Sequence, residues 1–156
     1  MNRYILFISI FLLFSCESYK EITLTSLDNV KVKNLERKEI HFEVLLTVNN
    51  PNLYGVKIKA LEGEFFAQNS LIGKVKLLDA TKIKRKSENS YIVPLLLQLE
   101  NGVLLRLVQL AMRENVEVKV KGFTKGKVFF INKKEDFEIT KSIDGKFFNI
   151  KSLLRK

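Results

Sequence analysis

The sequence predicts an all-β fold: an antiparallel two-sheet sandwich of seven or eight short strands with one short α-helix. Three observations predict it. Apolar and polar residues alternate with period two along most of the chain, as in strands that bury one face and wet the other. Turn-forming residues recur at short spacing between those runs. One segment, residues 102–113, switches to a helical period. The strand–helix rhythm of a doubly wound fold does not occur.

Taken in order, the chain opens with one positive charge in Met1-Asn2-Arg3 and a nearly unbroken apolar run from Tyr4 to Phe14. Ser15 ends the run with a small residue, which completes the parts of a secretory signal. The run is shorter than the roughly 20 residues that span a bilayer. Residues 1–15 therefore read as a signal, 16–21 as a short tether beginning at Cys16, and 22–156 as one domain. Val30 and Val32 alternate with Lys31 and Lys33, and Ile40, Phe42, Val44, Leu46 and Val48 form a longer alternating run. Asn49-Asn50-Pro51-Asn52 ends it. Pro51 lacks an N–H and cannot continue a ladder. It also pushes Asn50 into an extended conformation. The Asn side chains suit the unpaired backbone groups of a corner.

Val56 and Ile58 alternate with Lys57 and Lys59, and turns are expected at 68–70, 87–89 and 132–134. The helix places Val103, Leu104, Leu107, Val108, Leu110 and Ala111 on one stripe, with Asn101 as its cap and Asn115 in a left-handed exit. It is expected to lie as a lid over one end of the sheets. Val116, Val118 and Val120 begin another strand, and Asp144-Gly145 is a two-residue hairpin signal between 139–143 and 146–150.

Composition narrows function. The chain has 156 residues, 46% hydrophobic and 28% charged, which excludes a disordered chain and a polytopic membrane protein. One Cys and one His exclude a disulfide framework and a Cys/His zinc site. No metal or cofactor is expected. No P-loop, G-x-G-x-x-G or G-x-S-x-G turn occurs. His41 with Glu43, the Glu62/Glu64 pair and Glu135-Asp136 read as solvated surface groups, so the protein is not expected to be an enzyme. The net charge is +10, carried mostly by Lys. Clusters include Lys82, Lys84, Arg85 and Lys86, and the tail Lys151, Arg155 and Lys156. Without Arg interleaved with stacking aromatics, nucleic acid is not the expected partner. Anionic lipid head groups fit better than nucleic acid, and the reading preferred for the basic surface as a whole is solvated strand faces with lysines guarding strand edges.

Two resemblances follow. Leu13-Phe14-Ser15-Cys16 resembles the lipobox of bacterial lipoproteins. The resemblance implies that the Cys16 thiol carries diacylglycerol, that the signal is cut before it, and that membrane lipid is the first partner. Two or three acyl chains anchor a domain stably, since each buried methylene contributes about 0.8 kcal/mol. Residues 48–73, VNNPNLYGVKIKALEGEFFAQNSLIG, resemble the type 2 late-embryogenesis-abundant (LEA) or WHy family through Asn50-Pro51-Asn52, Gly55 and Gly73. Val93-Pro94-Leu95-Leu96-Leu97, the helix, and the strand from Val116 to Gly122 continue the match; the absence of Trp departs from it. This resemblance implies an immunoglobulin- or fibronectin-III-like sandwich and a non-enzymatic role in stress tolerance. Together they imply a membrane-anchored lipoprotein outside the cytoplasm. The periplasmic face of an outer membrane is favoured, because Glu17 is not the Asp of an inner-membrane retention signal. Its domain would bind or protect envelope components under desiccation or osmotic stress. The alternative is a structural adaptor in an envelope assembly with one cognate protein partner.

Overall fold

Period-two alternation yields long strands. In the computed structural model, which describes residues 20–36 and 38–148, they are β1 (Thr23–Glu36), β2 (Glu39–Asn50), β3 (Val56–Ala67), β4 (Ser70–Leu77), β5 (Thr81–Ile83), β6 (Ser87–Leu99), β7 (Val116–Val128) and β8 (Ile131–Ile143). Among the described residues one α-helix, α1 (Val103–Ala111), joins β6 to β7, and a 3₁₀ turn (Gly145–Phe148) follows β8.

All described strand pairs are antiparallel, and the all-β class with one helix is as expected. The two layers are, however, one sheet curled on itself. Its order is β1-β2-β6-β4-β3-β7-β8, with β5 pairing β3 beside that path. β4 joins the halves because it hydrogen-bonds to both β3 and β6. Bulges in β1 and β3 supply the local bend. The edge strands β1 and β8 meet through a side chain: Lys141 Nζ donates to the Leu27 carbonyl at 2.6 Å.

The core has two clusters. At one end α1 lids the sheet, burying Val103, Leu107 and Leu110 against Ile72, Leu99 and Val116. Each such side chain contributes about 1.5–3 kcal/mol on burial. Further along the sheet, Val44, Val75, Val93 and Leu95 form the second cluster.

Several local expectations are corrected. The helix stripe is narrower than expected, because Leu104 and Val108 face solvent. Gly102, at φ 76°, occupies the helix N-cap with no side-chain cap; Asn101 instead accepts from Lys38 Nζ. Asn115 does not take a left-handed turn, and the helix ends with the Met112 and Arg113 N–H groups on the Gln109 and Leu110 carbonyls. The Gln68-Asn69 turn forms as expected, with φ of 49° and 60°. Residues 87–89 lie inside β6 and 132–134 inside β8. The actual β7–β8 turn is Phe129-Phe130.

Residues 145–148 do not form the return strand of a hairpin. Asp144 Oδ1 accepts from the Lys146 N–H at 2.8 Å and Asp144 O from the Phe147 N–H at 3.1 Å, which winds a 3₁₀ turn. Burial of Phe148 against Phe65 and Phe147 selects that turn over a strand.

Candidate functional site

The Asn50-Pro51-Asn52 corner is built from complementary amides. Asn50 is fully buried and Asn52 nearly so. Asn50 Nδ2 donates to the Tyr54 and Lys84 carbonyls, both at 2.9 Å. Asn50 Oδ1 accepts from the Asn52 N–H (3.1 Å) and from Asn52 Nδ2 (3.0 Å). Asn52 in turn clasps the incoming chain: its Nδ2 donates to the Lys20 carbonyl at 2.7 Å and its Oδ1 accepts from the Lys20 N–H at 2.9 Å. The Asn52 carbonyl accepts from the Lys86 N–H at 2.9 Å. Every amide donor of the pair is used, which is what buried polar groups require. The corner thus ties three segments: the chain entering at Lys20, the end of β2, and the β5–β6 connection.

Gly55 beside this corner and Gly73 at the α1 end of β4 are steric devices. A Cβ at Gly73 would stand 2.1 Å from the Gln98 carbonyl oxygen, and one at Gly55 2.9 Å from that of Ile83. Both allow backbones to approach more closely than any side chain permits. Leu13, Phe14, Ser15 and Cys16 lie outside the described residues, as do most of the tether and Lys151, Arg155 and Lys156.

The acidic candidates are spread over the surface. Glu43 pairs with Lys33 at 3.3 Å across β1 and β2. Glu62 and Glu64 stand opposite Lys76 and Lys74 in the β3–β4 ladder. Glu135 pairs with Lys133. Among the described residues no three His, Cys, Asp or Glu side chains gather as a metal site, and no helix is long and apolar enough to cross a membrane.

What the curled sheet does enclose is an apolar cavity of about 180 Å³. An engineered cavity of about 150 Å³ with similar walls stays dry and takes up an apolar guest. β1 lines it with Leu24, Leu27, Val30 and Val32, and β8 with Phe137, Ile139 and Ile143. Every described lining residue is apolar except Lys141. Lys141 occupies an inward position of β8, one step after Ile139 in the alternation, and spans the seam to Leu27. An inward lysine on an edge strand opposes pairing with other chains. Here it also places a cation at the opening between β1 and β8. The sequence reading missed Lys141, although the charged residue in the apolar series 137, 139, 143 is its signal.

No family model and no curated protein matches the chain. Solved structures do. The crystal structure of a protein from Archaeoglobus fulgidus is 12% identical at a TM-score of 0.54, covering 78% of this chain and 97% of its own. The solution structure of a protein from Arabidopsis thaliana is 15% identical at a TM-score of 0.54, covering 84% of this chain and 88% of its own. A solution structure of a protein provisionally named late embryogenesis abundant (LEA) is 10% identical at a TM-score of 0.40, covering 85% of this chain and 78% of its own. The first two likenesses are of fold alone.

Proposed function

We propose that this chain is a lipid-anchored, non-catalytic binding module of the cell envelope, and that its curled sheet receives an apolar chain bearing an anionic head. The observation that carries the reading is the cavity, apolar on every wall, with the Lys141 ammonium at its seam. An aliphatic chain matches the walls. A carboxylate or phosphate at its end would replace the Leu27 carbonyl as the partner of Lys141, a charge-assisted bond stronger than the one it displaces. The lipobox-like Leu13-Phe14-Ser15-Cys16 supports anchoring through Cys16 and a place outside the cytoplasm. A module that takes up displaced acyl chains suits the protective role under water stress that the resemblance of residues 48–73 implies.

Displacement of a fluorescent reporter from the full chain by a fatty acid of about six to eight carbons, the length a cavity of about 180 Å³ holds when one of about 150 Å³ holds benzene, tests this reading. Saturable binding at one site per chain is expected. Lys141→Met should weaken fatty-acid binding about tenfold, the loss of one charged hydrogen bond, and leave binding of an alcohol of the same chain length unaffected. Val30→Phe, which fills the cavity from β1, should weaken both. Binding that is non-saturable, or indifferent to both substitutions, would overturn the proposal.

A further inference from the structure

The end of the molecule away from α1 carries an apolar tip, and behind it lysines dominate the outer face of the sheet. β7 and β8 turn at Phe129-Phe130, and Phe129, Phe130 and Ile131 are 69%, 92% and 71% exposed. Phe129 has φ 51°, a region that favours Gly. A polar turn with Gly or Asn would serve the fold better. An exposed aromatic turn held in an unfavourable backbone conformation points to function rather than folding.

Behind the tip the outer face of the sheet opposes lysines to lysines. Lys57 is the direct cross-strand partner of both Lys82 and Lys127, and Lys125 that of Lys134. Like charges set opposite one another destabilise a sheet. Among the described residues, Lys57, Lys82 and Lys127 have no ion-pair partner. The same face is arranged differently toward α1. There Glu64 stands opposite Lys74 and Lys121, Glu62 opposite Lys76, and Glu138 opposite Lys121. The charged cross-strand pairs of this face therefore change from opposite charges to like charges over the six residues from Lys121 to Lys127, about 20 Å of strand.

The chain enters at this same end. The Lys20 backbone is clasped by Asn52, and the Tyr54 ring, two residues on, lies 5.8 Å from the Phe129 ring. Exposed Lys84, Arg85 and Lys86 belong to the connection bonded to Asn52. Three residues separate Cys16 from Lys20, so the four steps between them reach about 14 Å at most.

We propose that this end docks on an anionic phospholipid bilayer. Phe129, Phe130 and Ile131 enter the boundary between head groups and acyl chains, and Lys57, Lys82, Lys125, Lys127 and Lys134 meet lipid phosphates. The spacing fits. Phe130 lies three residues beyond Lys127, about 10 Å along the strand, and interfacial elements bury their apolar side about 5–10 Å deep. Lys57, Lys82 and Lys127, which repel one another in solution, gain partners at the surface, and Lys125 and Lys134, which share the Phe123 ring at 5.2 and 4.2 Å, gain anionic ones. That the bilayer is the one holding the chain's own anchor rests on the proposed lipidation of Cys16; the docking itself does not.

The chain has no Trp, so Phe130→Trp installs a single reporter at the tip and Leu105→Trp one on the solvent side of α1, at the far end. Each full-length variant is reconstituted into vesicles of phosphatidylethanolamine and phosphatidylglycerol containing brominated lipid. Strong quenching of Trp at 130 and none at 105 is expected. Adding Lys57→Glu should lower the docked-to-undocked ratio at least fivefold, since each lysine near an anionic surface contributes about that factor. Vesicles of phosphatidylcholine alone should quench weakly. Equal quenching at 130 and 105, or quenching at 130 that ignores lipid charge and Lys57→Glu, overturns the proposal. The intact mass of the same preparations reads the acyl groups on Cys16 separately, so lipidation and docking fail independently.

Discussion

Lys57→Glu should make the isolated domain more stable, which is an unusual outcome for a surface charge reversal. In the native sheet Lys57 faces Lys82 on one side and Lys127 on the other. Each opposed like-charge pair destabilises, and each opposite-charge pair stabilises, by roughly 0.2–1 kcal/mol. Glutamate at 57 converts two repulsions into two attractions. Lys57 and Lys82 are exposed and Lys127 is half-buried, so solvent screening trims the swing. About 1 kcal/mol remains at low salt. For a domain of this size that raises the melting temperature by about 3–5 °C. Lys and Glu have similarly poor β-propensity, so the exchange itself is nearly neutral. The assay is thermal unfolding by circular dichroism at about 10 mM and 500 mM salt. The gain should shrink at high salt, where the screening length falls to a few ångströms. A loss of stability at low salt, or a gain unaffected by salt, would refute the argument that these lysines repel one another. Joined to weaker docking on anionic vesicles, higher stability would show a surface arranged for a partner at the expense of the fold.

Other outcomes follow from the core and the corner. Asn50→Ala removes a fully buried amide and leaves the Tyr54 and Lys84 carbonyls and the Asn52 N–H without their partner; a loss of about 3 kcal/mol is expected, read as a shift in urea midpoint. Gly73→Ala drives a Cβ against the Gln98 carbonyl and should cost about 3 kcal/mol, with amide exchange accelerated across the β4–β6 ladder. Leu107→Ala empties a site under α1 that is 3% exposed and should cost about 2–5 kcal/mol while leaving the distant Phe130 tip able to dock. Lys141→Met should leave the melting temperature within about 2 °C, because a single exposed contact across the seam contributes little.

The fold was legible because its signals are local. Val116, Val118 and Val120 alternate as they later pack, and Gln68-Asn69 turns where two residues that tolerate positive φ adjoin. Curling into one continuous sheet was not legible, since β4 pairing both β3 and β6 is a long-range choice that no local pattern encodes. The return strand expected after Asp144 failed because Phe147 and Phe148 gain more by packing under α1 than by extending a ladder. The corner was legible in kind, as Pro51 must end a strand. Its clasp on Lys20 was not, because the partner lies 32 residues away. The tip was misread for a physical reason. Polar residues at 132–134 attract a turn assignment, and two phenylalanines repel one, so a turn of phenylalanines contradicts propensity. Such contradictions between local pattern and structure are expected where function overrides folding, and Lys141 in an apolar series is the second instance.

The most direct measurement is native mass spectrometry of the protein purified from its own membranes in mild detergent, with lipid extraction of the bound fraction. The account expects diacylglycerol on Cys16 and, held non-covalently, one acyl-bearing anionic molecule per chain, diminished in Lys141→Met and absent in Val30→Phe. A chain that carries no apolar ligand, or one that Val30→Phe retains as well as the native protein does, would contradict the claim that the curled sheet is a binding chamber.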